Sequence, residues 1–172
     1  MQNLAQEDVV KEYKSALREL NNIDIQNASF KTNEKERSFE ESISLTSHNY
    51  GFISGNEFYI PAIPVNFNLS TPKRVRNRRH DFYLQRNKSF VDIVNYTIPT
   101  NYKLKELPEN TTINTDFGAY TLEFSNSDNE INITRTIHLN KGKYQKELYT
   151  YFRKFIKTSI QKDQTKIILE LK

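Results

Sequence analysis

The chain of 172 residues contains no cysteine. That excludes disulfides, thiol nucleophiles and Cys-ligated zinc or iron–sulfur sites together. Glycine is scarce, with four residues scattered at 51, 55, 118 and 142, so there is no material for a Gly-rich phosphate cradle. Proline is also sparse, at five. No apolar run approaches the ~20 residues of a membrane-spanning helix. Residues Met1–Tyr13 carry acids early and lack the apolar core of an export signal, so none is expected in this stretch. The length fits one domain or at most two small ones, at ~100–200 residues per domain. A chain of this size buries ~70% of its unfolded surface and needs no staples to hold a core.

What is present is aromatic, amide-rich and locally basic. There are 11 Phe, 10 Tyr and 19 Asn, and 36% of the residues are apolar, which argues against disorder. Asn-X-Ser/Thr triplets at Asn27, Asn68, Asn87, Asn95, Asn110 and Asn132 are expected by chance in such a chain and carry no glycosylation inference. The absence of cysteine fits a cytosolic or an exported bacterial protein equally. The formal charge of +4 is not spread evenly. Lys73, Arg74, Arg76, Arg78, Arg79, Arg86 and Lys88 face a single acid, Asp81, so residues 73–88 carry +6 and the remainder −2. A cluster this dense suits phosphates, by Coulomb attraction and counterion release. Phe82, Tyr83 and Phe90 lie close enough in sequence to offer stacking faces. The plainer reading is a solvated connecting loop with one or two Arg packed on aromatics or paired with acids. Nucleic-acid modules normally carry a wider basic face, which favours the plainer reading.

Periodicity predicts a mainly β, α+β chain. Val9, Val10, Tyr13, Ala16, Leu17 and Leu20 lie on one face of an amphipathic helix over 5–20, ended by Asn21 and Asn22. Phe39, Ile43 and Leu45 alternate with polar residues as a strand, and Ile23 to Phe30 is a weaker strand candidate. Ser54-Gly55-Asn56 between Phe52–Ile53 and Phe58–Ile60 is a hairpin signal. Pro61, Pro64 and Pro72 then predict an irregular connection over 61–80. Strands follow at Phe90–Thr97, at Tyr102–Leu107, around Tyr120, Leu122 and Phe124, and over Ile131–Leu139, with a turn at Asn126–Asn129. Arg135 falls on the apolar parity of its strand and is read as an edge residue that snorkels to water, with pairing to an acid as the other option. Residues 144–160 carry an aromatic stripe of helical spacing, read as a helix laid over a sheet, and Ile167–Leu171 makes a last strand. Regular strands with short turns favour a sandwich-like antiparallel core. The expected division is 1–78, with an N-terminal helix, a β segment and the basic connection, then 79–172 as a C-terminal β domain. The two halves could share one core.

No catalytic motif is found. His48, His80 and His138 lack the short spacing that puts two imidazoles on one face for a metal. His80-Asp81 are sequence neighbours that point apart in an extended segment, and no nucleophile elbow is present. The carboxylate pairs Glu40-Glu41 and Asp128/Glu130 read as a strand surface and a turn. The turn Asn126–Glu130 lacks the spacing, central Gly and distal Glu of an EF-hand loop. No catalytic residue, cofactor or metal is therefore expected. A standalone enzyme would need a polar pocket lined by one of the three histidines.

The C-terminal half carries a family pattern. It comprises YTIPTNYKLKELP (96–108), DFGAYTLEF (116–124) and INITRTIHLNKGKYQKELYTYFRKFIKTSIQKDQTKIIL (131–169). Pro99 with Asn101-Tyr102, Leu107-Pro108, Phe117-Gly118, Gly142 with Tyr144, the segment holding Tyr151, Phe152 and Phe155, and Asp163 with Lys166–Leu169 resemble the end of bacterial transglutaminase-like proteins. The basic connection Arg79 through Phe82 is also similar, and the match covers about 79–172. The resemblance implies an exported, periplasmic or cell-surface, multidomain parent: an N-terminal β domain of unknown function, a papain-like core and a C-terminal β domain. The family's Cys-His-Asp triad belongs to the core, and a chain without cysteine carries none of it. The resemblance therefore implies a non-catalytic accessory domain, acting in packing or partner positioning beside that core. The alternative is an anionic-polymer binding module, for nucleic acid or an acidic glycan, using the basic cluster from Lys73 to Lys88. Nucleic acid is the less expected polymer.

Overall fold

The computed structural model describes residues 13, 14, 17, 20, 22–48, 50–65 and 69–172. The expected helix over 5–20 lies mostly outside the described residues. Within it, Tyr13 and Lys14 are helical, and Leu17 N donates to Tyr13 O at 2.8 Å. The chain divides into two compact units, residues 1–52 and 53–172.

In the first unit β1 (Ile23–Asn33) pairs antiparallel with β2 (Ser38–Ser47), with an irregularity between Ile25 and Asn27. The weak strand signal at Ile23 to Phe30 thus becomes an eleven-residue strand. Its turn is built by Asn33, whose side-chain oxygen accepts from the N–H groups of Lys35 and Glu36, and by Arg37 at φ 50°. An Asx turn of this kind substitutes for the glycines the chain lacks. Tyr13 stacks on Phe30, and Phe30 on Phe39.

The second unit is mainly β, with several antiparallel sheets and one helix. It contains β3 (Phe52–Ser54, whose first residue is the last of the other unit), β4 (Glu57–Pro61), β5 (Phe82–Leu84), β6 (Lys88–Thr97), β7 (Tyr102–Glu106) and β8 (Thr111–Thr115). Then come β9 (Gly118–Ser127), β10 (Glu130–Leu139), β11 (Gly142–Tyr144), helix α1 (Tyr149–Asp163) and β12 (Lys166–Leu171). One four-stranded sheet has the order β6-β10-β9-β8 and another β3-β4-β12-β7, with β5 and β11 as a two-stranded piece. The unit is closed by long-range pairing. β12, the last strand, inserts between β4 and β7. Residues 53–78 therefore sit in one compact unit with 79–172, because β4 has its partner over a hundred residues downstream.

Period-2 patterning fixes which faces are buried. In β10 Ile131, Ile133 and Ile137 have no exposed surface, and Tyr120, Leu122 and Phe124 of β9 are buried beside them. From the other sheet Ile60, Ile167 and Leu169 are buried. The β9–β10 reversal is the two-residue turn Asp128-Asn129, with Asp128 at φ 48°, inside the turn expected at 126–129. Asp and Asn tolerate that left-handed conformation better than most residues.

The helix is shorter than the 144–160 stripe predicts. Tyr144 belongs to β11, paired with Phe82 of β5, and Lys146–Leu148 form a 3-10 turn before α1 begins. The Tyr144 ring lies 5.3 Å from Phe82 and 5.0 Å from Phe117. Aromatic packing thus holds Gly142–Tyr144 in an extended form, although its side chains match the helical period. From Tyr149 the period holds: Phe152, Phe155, Ile156, Ser159 and Asp163 are buried on one stripe, and α1 runs against β8 and β9.

Candidate functional site

The basic segment folds back on the start of α1. Among their described members, residues 62–81 contain no strand, in line with the expected irregular connection. Tyr149 donates its hydroxyl to Lys73 O at 2.9 Å, and Arg153 Nε donates to Pro72 O at 3.0 Å. The Arg78 guanidinium lies 4.4 Å from the Tyr149 ring centre and 5.5 Å from that of Phe82, while its Nε donates to His80 O at 2.8 Å. Cation–π and hydrogen-bond attachment of this kind commits Arg78 to holding the loop.

The other six cations, Lys73, Arg74, Arg76, Arg79, Arg86 and Lys88, are exposed. Three of them reach two separate hollows. Arg76 and Arg78 line one of about 220 Å³ with Lys146, Glu147 and Tyr149. Arg86 and Lys88 line another of about 470 Å³ with Tyr83 and Leu139. Lys73, Arg74 and Arg79 line neither. At the second hollow the Tyr83 ring is 62% exposed, and Lys143 Nζ lies 5.9 Å from its centre. Lys143 Nζ also lies 3.4 Å from Asp81 Oδ2, and this hydrogen bond, with the nearby Tyr83, holds the ammonium above the usual lysine range. Asp81, the one acid of the segment, is thereby drawn to Lys143.

Arg135 does not snorkel. Its side chain is fully buried between β6 and α1. Arg135 Nε donates to Asp163 Oδ1 at 2.8 Å, and Nη1 donates to Asp92 Oδ2. Tyr120 donates its hydroxyl to the same Asp163 oxygen at 2.7 Å. Asp92 is the β6 residue directly opposite Arg135, so register delivers one acid and the end of α1 the other. Burial disfavours the charged guanidinium, but Asp163 and Asp92 outweigh it and the pKa rises. Burial, then the hydrogen bond to Asp163, pushes the Tyr120 hydroxyl far above the tyrosine range, so it stays a neutral donor. The sequence signal was a charge on an apolar parity. Asp163, named above only as part of the family pattern, offered no sign of its role.

The histidines stand apart. His48 Nε2 lies 2.7 Å from Asp24 Oδ2 at the surface of the first unit, His80 is exposed, and His138 sits on β10 between Ser89 and Ala119. Among the described residues no group of three or more His, Asp or Glu could hold a metal ion. Glu41 accepts from the Tyr13 hydroxyl at 2.8 Å, and burial together with that bond pushes Tyr13 up to about 12.

A further hollow, missed by sequence reasoning, lies between β8 and α1. Ile113, Phe117, Leu148, Tyr151, Lys154 and Phe155 contribute to its wall, which is largely apolar and encloses about 680 Å³. β8, a Thr-rich stretch with only Ile113 as an apolar member, has too little periodic contrast to announce a strand. No helix among the described residues is long and apolar enough to cross a membrane.

No curated protein and no solved structure matches the chain. One family profile does match, over residues 56–169, from the turn before β4 to the middle of β12. That span is about two thirds of the chain and nearly all of the second unit, and the chain belongs to the family it defines, described as a Domain of Unknown Function with solved-structure structure (DUF3858).

Proposed function

We propose that this chain is a non-catalytic accessory β domain of a transglutaminase-like, exported protein, and that it packs beside the papain-like core and positions that core or its substrate. The sequence resemblance over 79–172 motivates the parent. The observation that carries the non-catalytic role is how the second unit spends its buried polar chemistry. Arg135, Asp163 and Tyr120 bond to one another in the core and line none of the three hollows described above, whereas the largest of those three is walled by Ile113, Phe117, Tyr151 and Phe155. Catalytic sites place perturbed titratable groups in a cleft; here Arg135 and Tyr120 are perturbed inside the core, Lys143, Glu57 and Glu170 are perturbed by surface ion pairs, and the apolar hollow is lined by none of them. The test is to assay the purified chain for peptide hydrolysis and Gln–Lys crosslinking, and to co-purify it with a Cys-containing core encoded in the same reading frame. A stable complex without turnover is expected. Turnover by this chain alone overturns the reading, and so does a core that elutes separately.

One observation favours anionic-polymer binding as a second reading. Tyr83 presents an exposed ring beside Arg86, Lys88 and Lys143, which combines a stacking face with cations. Titration with heparin and single-stranded DNA over a salt series tests it. Affinity should fall linearly with log salt, with a slope of about 0.7 per phosphate neutralised on a single strand. Flat curves at low salt remove this reading.

A further inference from the structure

Among the described residues, the sheet edges of the second unit differ in one respect that bears on a partner. Sheet edges are normally guarded against added strands by charge, proline or shortness. β3, at the edge of one sheet, is three residues long, and β7 at its other edge carries Lys103, Lys105 and Glu106. β6, at the edge of the other sheet, carries Lys88 and Asp92. β8 is the remaining edge of that sheet, and its five residues, Thr111-Thr112-Ile113-Asn114-Thr115, include no charge and no proline. Every second residue of such an edge turns its N–H and C=O away from the sheet.

This unguarded edge borders the apolar hollow. Ile113 and Thr115 supply one wall and α1 the other, where Tyr151, 66% exposed, flanks the buried stripe of the helix. A strand added beside β8 would turn alternate side chains toward the hollow. At about 680 Å³ the hollow falls within the ~300–1,000 Å³ of clefts that enclose ligands,. A second copy of this chain fits poorly as the occupant, because β8 itself brings only one apolar side chain, Ile113.

We infer that β8 is a strand-addition site, which accepts an extended peptide segment carrying two large apolar side chains two residues apart and lodges them between Ile113 and Tyr151. This rests on the reading of the chain as a positioning domain, and it names the form of the partner: a single strand captured by main-chain hydrogen bonds.

The experiment uses the full chain, 15N-labelled, titrated with a seven-residue peptide alternating valine and threonine around a central phenylalanine. Saturable shift changes at Thr111–Thr115 and slowed amide exchange on β8 are expected. A matched peptide with prolines at the alternate positions should give neither. Tyr151→Glu, at an exposed position, should keep the thermal midpoint and weaken the peptide about tenfold or more, as loss of an aromatic anchor does. The inference is overturned by a lack of saturable shifts at millimolar peptide, by unchanged affinity in Tyr151→Glu, or by β8 protection that arises from self-association without peptide. If the peptide fails but the core domain still co-purifies, the domain packs by another face; if both fail, the positioning reading fails with it.

Discussion

Removing Arg135 should be the most informative single substitution in the second unit. Its guanidinium is wholly enclosed and ion-paired with Asp163, which is 4% exposed. Arg135→Leu takes the guanidinium away from that buried carboxylate and leaves the Tyr120 hydroxyl bonded to it. Breaking a buried pair from one side costs about 3–5 kcal/mol. At ~2–4 °C per kcal/mol for a chain of this size, the midpoint should fall by about 6–20 °C. Asp92→Asn should cost less, about 1–2 kcal/mol, because Asp92 is 28% exposed and water can replace part of the bond. The triple variant Arg135→Leu, Asp163→Leu, Tyr120→Phe should recover most of the loss, since no uncompensated charge remains inside. Because the chain has two compact units, a bulk melting signal would mix two transitions. Amide hydrogen exchange at Ile133 and Ile137, which have no exposed surface, reports opening of the right one. Arg135→Leu within about 1 kcal/mol of the parent would refute the reasoning, as would a triple variant no more stable than the single one.

Three further outcomes are expected. Gly118→Ala should destabilise by about 4 kcal/mol or more, or prevent folding, because its Cβ would meet His138 O at 1.8 Å at φ +143°; Gly55→Ala, at φ +62° with open space around it, should cost only about 1 kcal/mol in a urea titration. Hydrogen bonding to Lys105, then to Tyr59, lowers the Glu57 pKa below 4.5, and Lys103 lowers that of Glu170. Both groups thus support folding above pH 4.5 and lose that support as pH falls through their folded-state values, so acid titration of Glu57→Gln should show a shallower decline below pH 4.5 than the parent. Tyr149→Ala removes both the hydroxyl bond to Lys73 O and the ring under Arg78, so trypsin should cut between Lys73 and Arg79 faster than in the parent, with unchanged cleavage elsewhere.

The patterned strands were legible in the sequence because their side chains alternate strongly. Tyr120 to Phe124 and Ile131 to Leu139 bury one parity, and Phe39 to Leu45 alternates although Phe39 itself is exposed; Phe90 to Thr97 is legible instead from its β-branched and aromatic content, with Val91 and Ile93 exposed. All of that information is local. β8 was not legible, since threonine on both parities gives no contrast, nor were the three-residue pieces β5 and β11, whose pairing depends on rings more than fifty residues apart. The basic segment was visible as composition, but its fate was not. Sequence position could not say that Arg78 would lie over Tyr149 while Arg76 and Arg86 went to separate hollows.

By itself, then, the sequence determined the mainly β character, the turn positions, the absence of thiol chemistry and the local origin of the net charge, because these follow from residue type and from spacing of a few positions. Tertiary structure alone decided where Arg135 finds its acids, where the helix begins, and that β4 closes on β12. It also set an uncharged edge beside an apolar hollow. Each of those outcomes depends on strand order and register, which bring together groups far apart along the chain, and no local pattern records which distant partner a side chain will meet.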